Sequence, residues 1–332
     1  MGKQIEKYIE FTNGITLKGT LTIPEGVNKP PVVVMIHGSG NVDRDENAKG
    51  LQINVFKYLT QFFVSKGFAT LRYDKRGVGE SGGSFLEAGF WDLVEDAAAA
   101  VDFVRTQEGI NTEQIILLGH SEGAIIAPAV HKKVKAQGLI LLAGISECLK
   151  DTLENYQMKI FKEEVEVLKG FQGKLLRFFK IGKKAVEKQK KLFEKILTSD
   201  QTVIKDGLVK LNAKWYREHF QYNVSDELKE VACPVIAITG DHDIQVNPEQ
   251  VKEIAGLTRG PSEYHIIPKM NHLLRKQEQP MSLLKLKNIY KKSAKKTLDE
   301  EMLNLIEKWV VKHYHEGTED PNYIELDQTA AR

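Results

Sequence analysis

The stretch Gly119-His120-Ser121-Glu122-Gly123 follows the apolar run Ile115-Ile116-Leu117-Leu118 and precedes residues 124–135, which read as a helix. A strand that turns into a helix within five residues admits few folds. The backbone doubles back so sharply that bulky flanking residues would clash, which accounts for the two glycines. The serine hydroxyl is then carried to a helix N-terminus, where free N–H groups and the helix dipole favour negative charge. The five-residue string alone is common. Its meaning depends on a base, an acid and an oxyanion-binding loop in matching places.

The flanking text alternates strands and helices. Residues 5–11 and 15–23 read as two strands joined at Asn13-Gly14, a hairpin signal. Val32-Val33-Val34-Met35-Ile36 is apolar throughout, as a strand covered on both faces should be. Helical patterns over 51–66 and 91–107 bracket a strand over 68–73, and a strand over 139–142 follows the helix after Ser121. Such alternation implies right-handed crossovers and a largely parallel sheet. It stops near Ser146. From 151 to about 223 the text is helical, rich in Lys, Glu, Leu and Phe, and no strand-like run stands out. Alternation resumes with strand 235–239, helix 248–257, strand 264–267 and a final amphipathic helix over 298–313. The expected organisation is one α/β core made of 1–145 and 231–316, a helical cap at 146–230, and a polar tail at 317–332.

A serine hydroxyl is a poor nucleophile at neutral pH and needs a base oriented by a carboxylate. His272, just past the strand ending at Ile267, is the expected general base. Thr239-Gly240-Asp241-His242-Asp243 closes another strand and offers two acids. Asp243 is preferred, because Asp241 directly follows the glycine and suits a turn cap; Asp241 stays open as the alternative. Both segments fall at carboxyl ends of strands, where open α/β sheets place their sites. The oxyanion hole needs two backbone N–H groups. Glu122, after the nucleophile, supplies one through its backbone rather than its side chain. His37-Gly38-Ser39-Gly40 supplies the other, through Ser39 or else Gly40.

These segments, with Asp43-Arg44-Asp45, Tyr73-Asp74-Lys75-Arg76-Gly77-Val78-Gly79-Glu80-Ser81 and Asn271-His272, resemble the α/β-hydrolase superfamily. Within it the chain is similar to bacterial serine esterases and to S9- and S33-peptidase-like hydrolases. The resemblance implies an α/β-hydrolase fold, a mostly parallel central sheet flanked by helices, with a helical cap insertion. It also supports Asp243 and Ser39. The implied activity is hydrolysis of carboxylic esters of short to medium acyl chains through Ser121, His272 and Asp243. An acyl-CoA thioesterase, an S9/S33-like aminopeptidase and a non-catalytic ligand-binding protein are the rival readings.

Asp74-Lys75-Arg76-Gly77 reads as a buried ion-pair network, His37 and His120 as structural, and Asp43-Arg44-Asp45 as a possible pocket wall. The acyl pocket is expected to draw on some of Phe171, Phe178, Phe179, Trp215 and Tyr216. The remaining histidines, His219 among them, read as ordinary core or surface residues.

Net charge is only +2, but it is segregated: residues 150–200 hold 13 Lys/Arg against 8 Asp/Glu, and residues 276–296 hold 7 against 1. Most of these lysines read as a solvated face, and the sharper expectation is attraction of anionic substrates or an anionic surface. Neither the two distant cysteines, Cys148 and Cys233, nor Asp241-His242-Asp243 makes a metal pattern, so no cofactor and no metal is expected. The expected partner is a small-molecule acyl ester, with no nucleic acid and no stable membrane insertion. The first residues lack an apolar signal segment, and a cytoplasmic location is the expectation.

Overall fold

The computed structural model describes residues 3–314. The expected tail at 317–332, and His315, lie outside the described residues.

The hairpin β1 (Gln4–Thr12) and β2 (Thr16–Pro24) opens the chain. β3 (Val32–Ile36), α1 (Val55–Ser65), β4 (Ala69–Tyr73), α2 (Phe90–Arg105), β5 (Ile115–His120), α3 (Glu122–Val134) and β6 (Gly138–Leu142) follow. Between β6 and the next core strand lie α4 (Leu149–Asp151), a π-helical segment (Thr152–Gln157), α5 (Met158–Val167), α6 (Gly170–Phe178) and α7 (Ile181–Thr198). They are followed by the strands β7 (Val203–Asp206) and β8 (Val209–Asn212), then α8 (Ala213–Gln221) and α9 (Val224–Leu228). The chain returns through β9 (Val235–Gly240), α10 (Gln250–Leu257), β10 (Ser262–Ile267), α11 (Leu286–Ser293) and α12 (Glu300–Tyr314).

Eight strands form one sheet in the order β1-β2-β4-β3-β5-β6-β9-β10. β2 pairs antiparallel with β1 and β4; every other pairing is parallel. All residues of β3, β4, β5, β6 and β9 are buried, as both faces of a helix-covered sheet require. Side chains alternate between the two faces. Val32, Val34, Leu117, Leu141 and Ala237 pack with α2, α3 and α10. Val33, Met35, Leu118, Ile140 and Ile238 pack with α1, α11 and α12.

The insertion departs from expectation. β7 and β8 form a two-residue hairpin, with Gly207 (φ 62°) at the first central position and Leu208 fully exposed at the tip. Asp206-Gly207 carried the signal, but the flanking runs are four residues each and alternate weakly. The hairpin shares a small core of Phe193, Ile196, Ile204 and Ala213 with α7 and α8. Tyr222, Val224 and Leu228 instead join the core cluster beside α3, so α9 packs as part of the main body. α11 was not expected; its lysines mask a period that buries only Ile289, Tyr290 and Ser293.

Candidate active site

The turn between β5 and α3 holds Ser121 at φ 55° and ψ −116°, a conformation that a residue with a side chain rarely adopts. Close packing enforces it. A Cβ on Gly119 would lie 2.2 Å from the Gly123 carbonyl oxygen, and one on Gly123 would lie 1.9 Å from that of Ile36. Both flanking glycines are therefore required by contact. The Ser121 N–H donates to Leu142 at 2.8 Å, and the Ala124 N–H donates to the Ser121 carbonyl at 3.0 Å.

Ser121 Oγ lies 2.9 Å from His272 Nε2, and His272 Nδ1 lies 2.8 Å from Asp243 Oδ2. Both spacings are within reach for proton transfer and for orienting the imidazole. Asp243 is fully buried, and its other oxygen accepts the N–H groups of Gln245 (2.8 Å) and Val246 (3.1 Å). Asp241 is exposed and accepts the Lys269 N–H at 2.5 Å; its carboxylate does not join His272. Two residues of the π-helical segment reach the acid loop. Tyr156 donates to the Asp243 carbonyl (3.0 Å), and Gln157 donates to that of Gln245 (2.8 Å).

The loop after β3 carries Ser39 beside Ser121, Glu122 and His272 along one cavity. Glu122 opens α3, so its N–H has no acceptor within the helix. Two buried charges hold this loop. Glu46 accepts the Gly38 N–H (2.6 Å) and binds His120 Nδ1 (2.8 Å), while His120 Nε2 meets the His272 carbonyl (2.9 Å). Burial works against the Glu46 carboxylate, but His120 and the Gly38 N–H outweigh it and lower its pKa. Lys75 Nζ donates to the Gly38 carbonyl (2.5 Å) and pairs with Glu122 at 2.8 Å. His37 is buried, and desolvation pushes its pKa down to about 4.

Glu122 thus does more than the sequence suggested. Its side chain is buried, accepts from Lys75 and the Trp215 indole N–H, and lies 3.1 Å from His219 Nε2. Burial raises its pKa, but Lys75 and His219 prevail and the net shift is downward. Trp215 and His219 both sit on α8, so this carboxylate joins the elbow to the cap. The other expected network residues also pair, Arg44 with Asp74 and Arg76 with Asp96, both at 2.6 Å. Asp43, Arg44 and Asp45 are spent on such bonds and do not line the cavity.

The cavity measures about 250 Å³ and is walled by Ile125, Ile145, Leu149, Leu153, Trp215 and Val246, with the amides of Gln157 and Gln245. Trp215 and Tyr216 line it as expected of the cap. Phe171, Phe178 and Phe179 do not; all three are exposed. Among the described residues, no group of three or more His, Cys, Asp or Glu is arranged to hold a metal, and no helix is long and apolar enough to cross a membrane. Cys148 and Cys233 are free.

A family model described as serine aminopeptidase, S33, matches residues 32–279. The chain belongs to this family. Within the α/β-hydrolase superfamily, Esterase EstD of Thermotoga maritima is 26% identical over 307 residues, covering 89% of this chain. The chain spans 66% of that relative's length, just under two thirds. Est1E from Butyrivibrio proteoclasticus, solved with ferulic acid bound, superposes with a TM-score of 0.56 at 19% identity, over 90% of this chain and 99% of its own. An esterase of Pyrococcus furiosus superposes with a TM-score of 0.57 at 17% identity, over 94% of this chain and 91% of its own. These two likenesses show the fold. Residues of this S33-family chain that sequence reasoning missed are Glu46, His219 and the side chain of Glu122. Trp215 and His219 at i, i+4 carried a helical-face signal; Glu46 carried none, because its charged partner His120 is distant in sequence.

Proposed function

We propose that the chain hydrolyses carboxylic esters of short to medium acyl chains. Ser121 Oγ attacks the acyl carbonyl while His272 Nε2 takes its proton. The N–H groups of Ser39 and Glu122 receive the oxyanion. The tetrahedral intermediate collapses, and His272 returns the proton to the leaving alcohol. Water, deprotonated by His272, then attacks the acyl-enzyme, and His272 returns that proton to Ser121 Oγ as the acid leaves. Asp243 holds the imidazole tautomer and stabilises the imidazolium. The continuous contacts from Ser121 to His272 to Asp243 support a serine hydrolase over a ligand-binding protein.

The state of Glu122 favours an ester over an aminopeptide, despite the family's description. An aminopeptidase needs a free carboxylate for the substrate ammonium. Glu122 is the one carboxylate on the cavity wall among the described residues, and it is already neutralised by Lys75. Beyond Ser121 and His272 the rest of the wall is apolar, hydroxyl or amide, and none of it carries a negative charge. At about 250 Å³ the cavity falls below the ~300–1,000 Å³ usual for drug-sized ligands, which supports a short acyl group. The basic cap keeps an acyl-CoA thioester as the second reading. A fluorophosphonate probe tests the class: Ser121 should label and Ser121→Ala should not. A panel of aryl esters, acyl-CoAs and aminoacyl amides tests the substrate; preferential turnover of the amides sinks the ester reading.

A further inference from the structure

Helix α6 is turned inside out. Its inward face carries Gly173 and Arg177. A Cβ at Gly173 would meet the Leu168 carbonyl oxygen at 1.8 Å, so glycine is needed for the helix to pack this closely. The Arg177 guanidinium donates to the carbonyls of Glu166 (2.9 Å) and Leu168 (2.8 Å), closing the end of α5. The opposite face carries Phe171, Leu175 and Phe178, spaced i, i+4, i+7, and exposed by 78%, 43% and 76%. Val167 before the helix and Phe179 after it are exposed too. A contiguous apolar set of this kind on a single chain marks a contact site.

The charge around it says what the contact is. Residues 169–191 hold nine lysines and arginines against one glutamate, a net charge of +8. Lys169, Lys174, Lys180, Lys183 and Lys184 are exposed, and none is ion-paired among the described residues. We propose that α6 docks the cap peripherally on an anionic lipid surface. The phenylalanines enter the boundary between headgroups and acyl chains, and the lysines meet the lipid phosphates. A helix with one aromatic face and basic flanks suits this interface. A second copy is disfavoured, since it would oppose two such charges. A nucleic acid would match the lysines but gains nothing from Val167 and Leu175, which have no ring to stack.

Flotation with vesicles of phosphatidylcholine, with and without about one-third phosphatidylglycerol, tests this, because each lysine near an anionic surface strengthens partition about fivefold. The intact chain should partition at least about tenfold better onto the anionic vesicles and release in high salt. Phe171→Ser with Phe178→Ser should cut that partition about tenfold while hydrolysis of a soluble ester is unchanged. If that pair fails to fold, Lys174→Glu with Lys180→Glu carries the test, with an expected loss of at least about 25-fold. Ser121→Ala should bind as the parent does, so failure of the esterase reading leaves this proposal standing. Equal partition on neutral vesicles, no partition, or full binding by a folded variant overturns it. So does light scattering that finds dimers, or binding to nucleic acid, in place of vesicle binding.

Discussion

The sheet core and the cap solve opposite problems with the same amino acids. In the core, alternate residues of β3, β5, β6 and β9 bury completely on two faces, and the charges of Asp74 and Lys75 that enter are paired there. Among the described residues, the cap's own apolar interior is one small cluster of four buried residues and the separate Val165. It is fastened to the core largely by polar contacts. Trp215 and His219 reach Glu122, and Tyr156 and Gln157 reach the acid loop. Asn212 Nδ2 donates to Phe85 (3.1 Å) and Ala88 (2.7 Å), and Lys214 pairs with Asp92 at 2.7 Å. Burial is insensitive to direction, whereas hydrogen bonds fix it. The core therefore supplies stability, and the cap's few polar anchors set how it sits over the cavity.

This contrast predicts a steep gradient of mutational effects. Steady-state kinetics on a soluble aryl ester should find Asp243→Asn slower by about 10⁴-fold in kcat, since the imidazole tautomer is lost. A loss below tenfold would remove Asp243 from its role.

Glu122→Gln should come next. It strands the buried Lys75 charge and should cost about 3–5 kcal/mol in urea unfolding. The Glu122 carboxyl is lowered on folding. Its stability contribution is therefore complete above the ordinary carboxylate range and is lost as pH falls toward the folded value. The gap between parent and variant should narrow from roughly pH 5 downward; a constant gap means that the charge is not what matters.

Smaller still is Asn212→Ala. Asn212 caps α8 through the Trp215 N–H as well as holding Phe85 and Ala88. Its loss should cost about 1–2 kcal/mol and shift KM more than kcat. An unchanged KM would uncouple cap placement from substrate binding. At the far end, Leu208→Asn at the exposed hairpin tip should change thermal stability by less than about 0.5 kcal/mol.

The same contrast explains what could be read in advance. The core strands announce themselves because both-face burial demands uninterrupted apolar runs, and the G-x-S-x-G turn demands glycines at contacts closer than a Cβ allows. Ser121, Asp243 and His272 stood out as candidates because each follows a strand of that sheet. In the cap, period alone cannot tell an inward face from an outward one. Phe171, Phe178 and Phe179 looked like pocket residues, yet Gly173 and Arg177 take the inward positions. Glu122 looked like a backbone donor with an idle side chain. Its partners, Lys75 and His219, are 47 and 97 residues away in the chain.

The sequence by itself determined the α/β architecture and the strand ends that carry Ser121, Asp243 and His272, because local period and turn chemistry act over a few residues. Only the tertiary structure decided which charges meet inside and which face of α6 looks outward. Those outcomes depend on distances between segments far apart in the chain, and no local pattern encodes them.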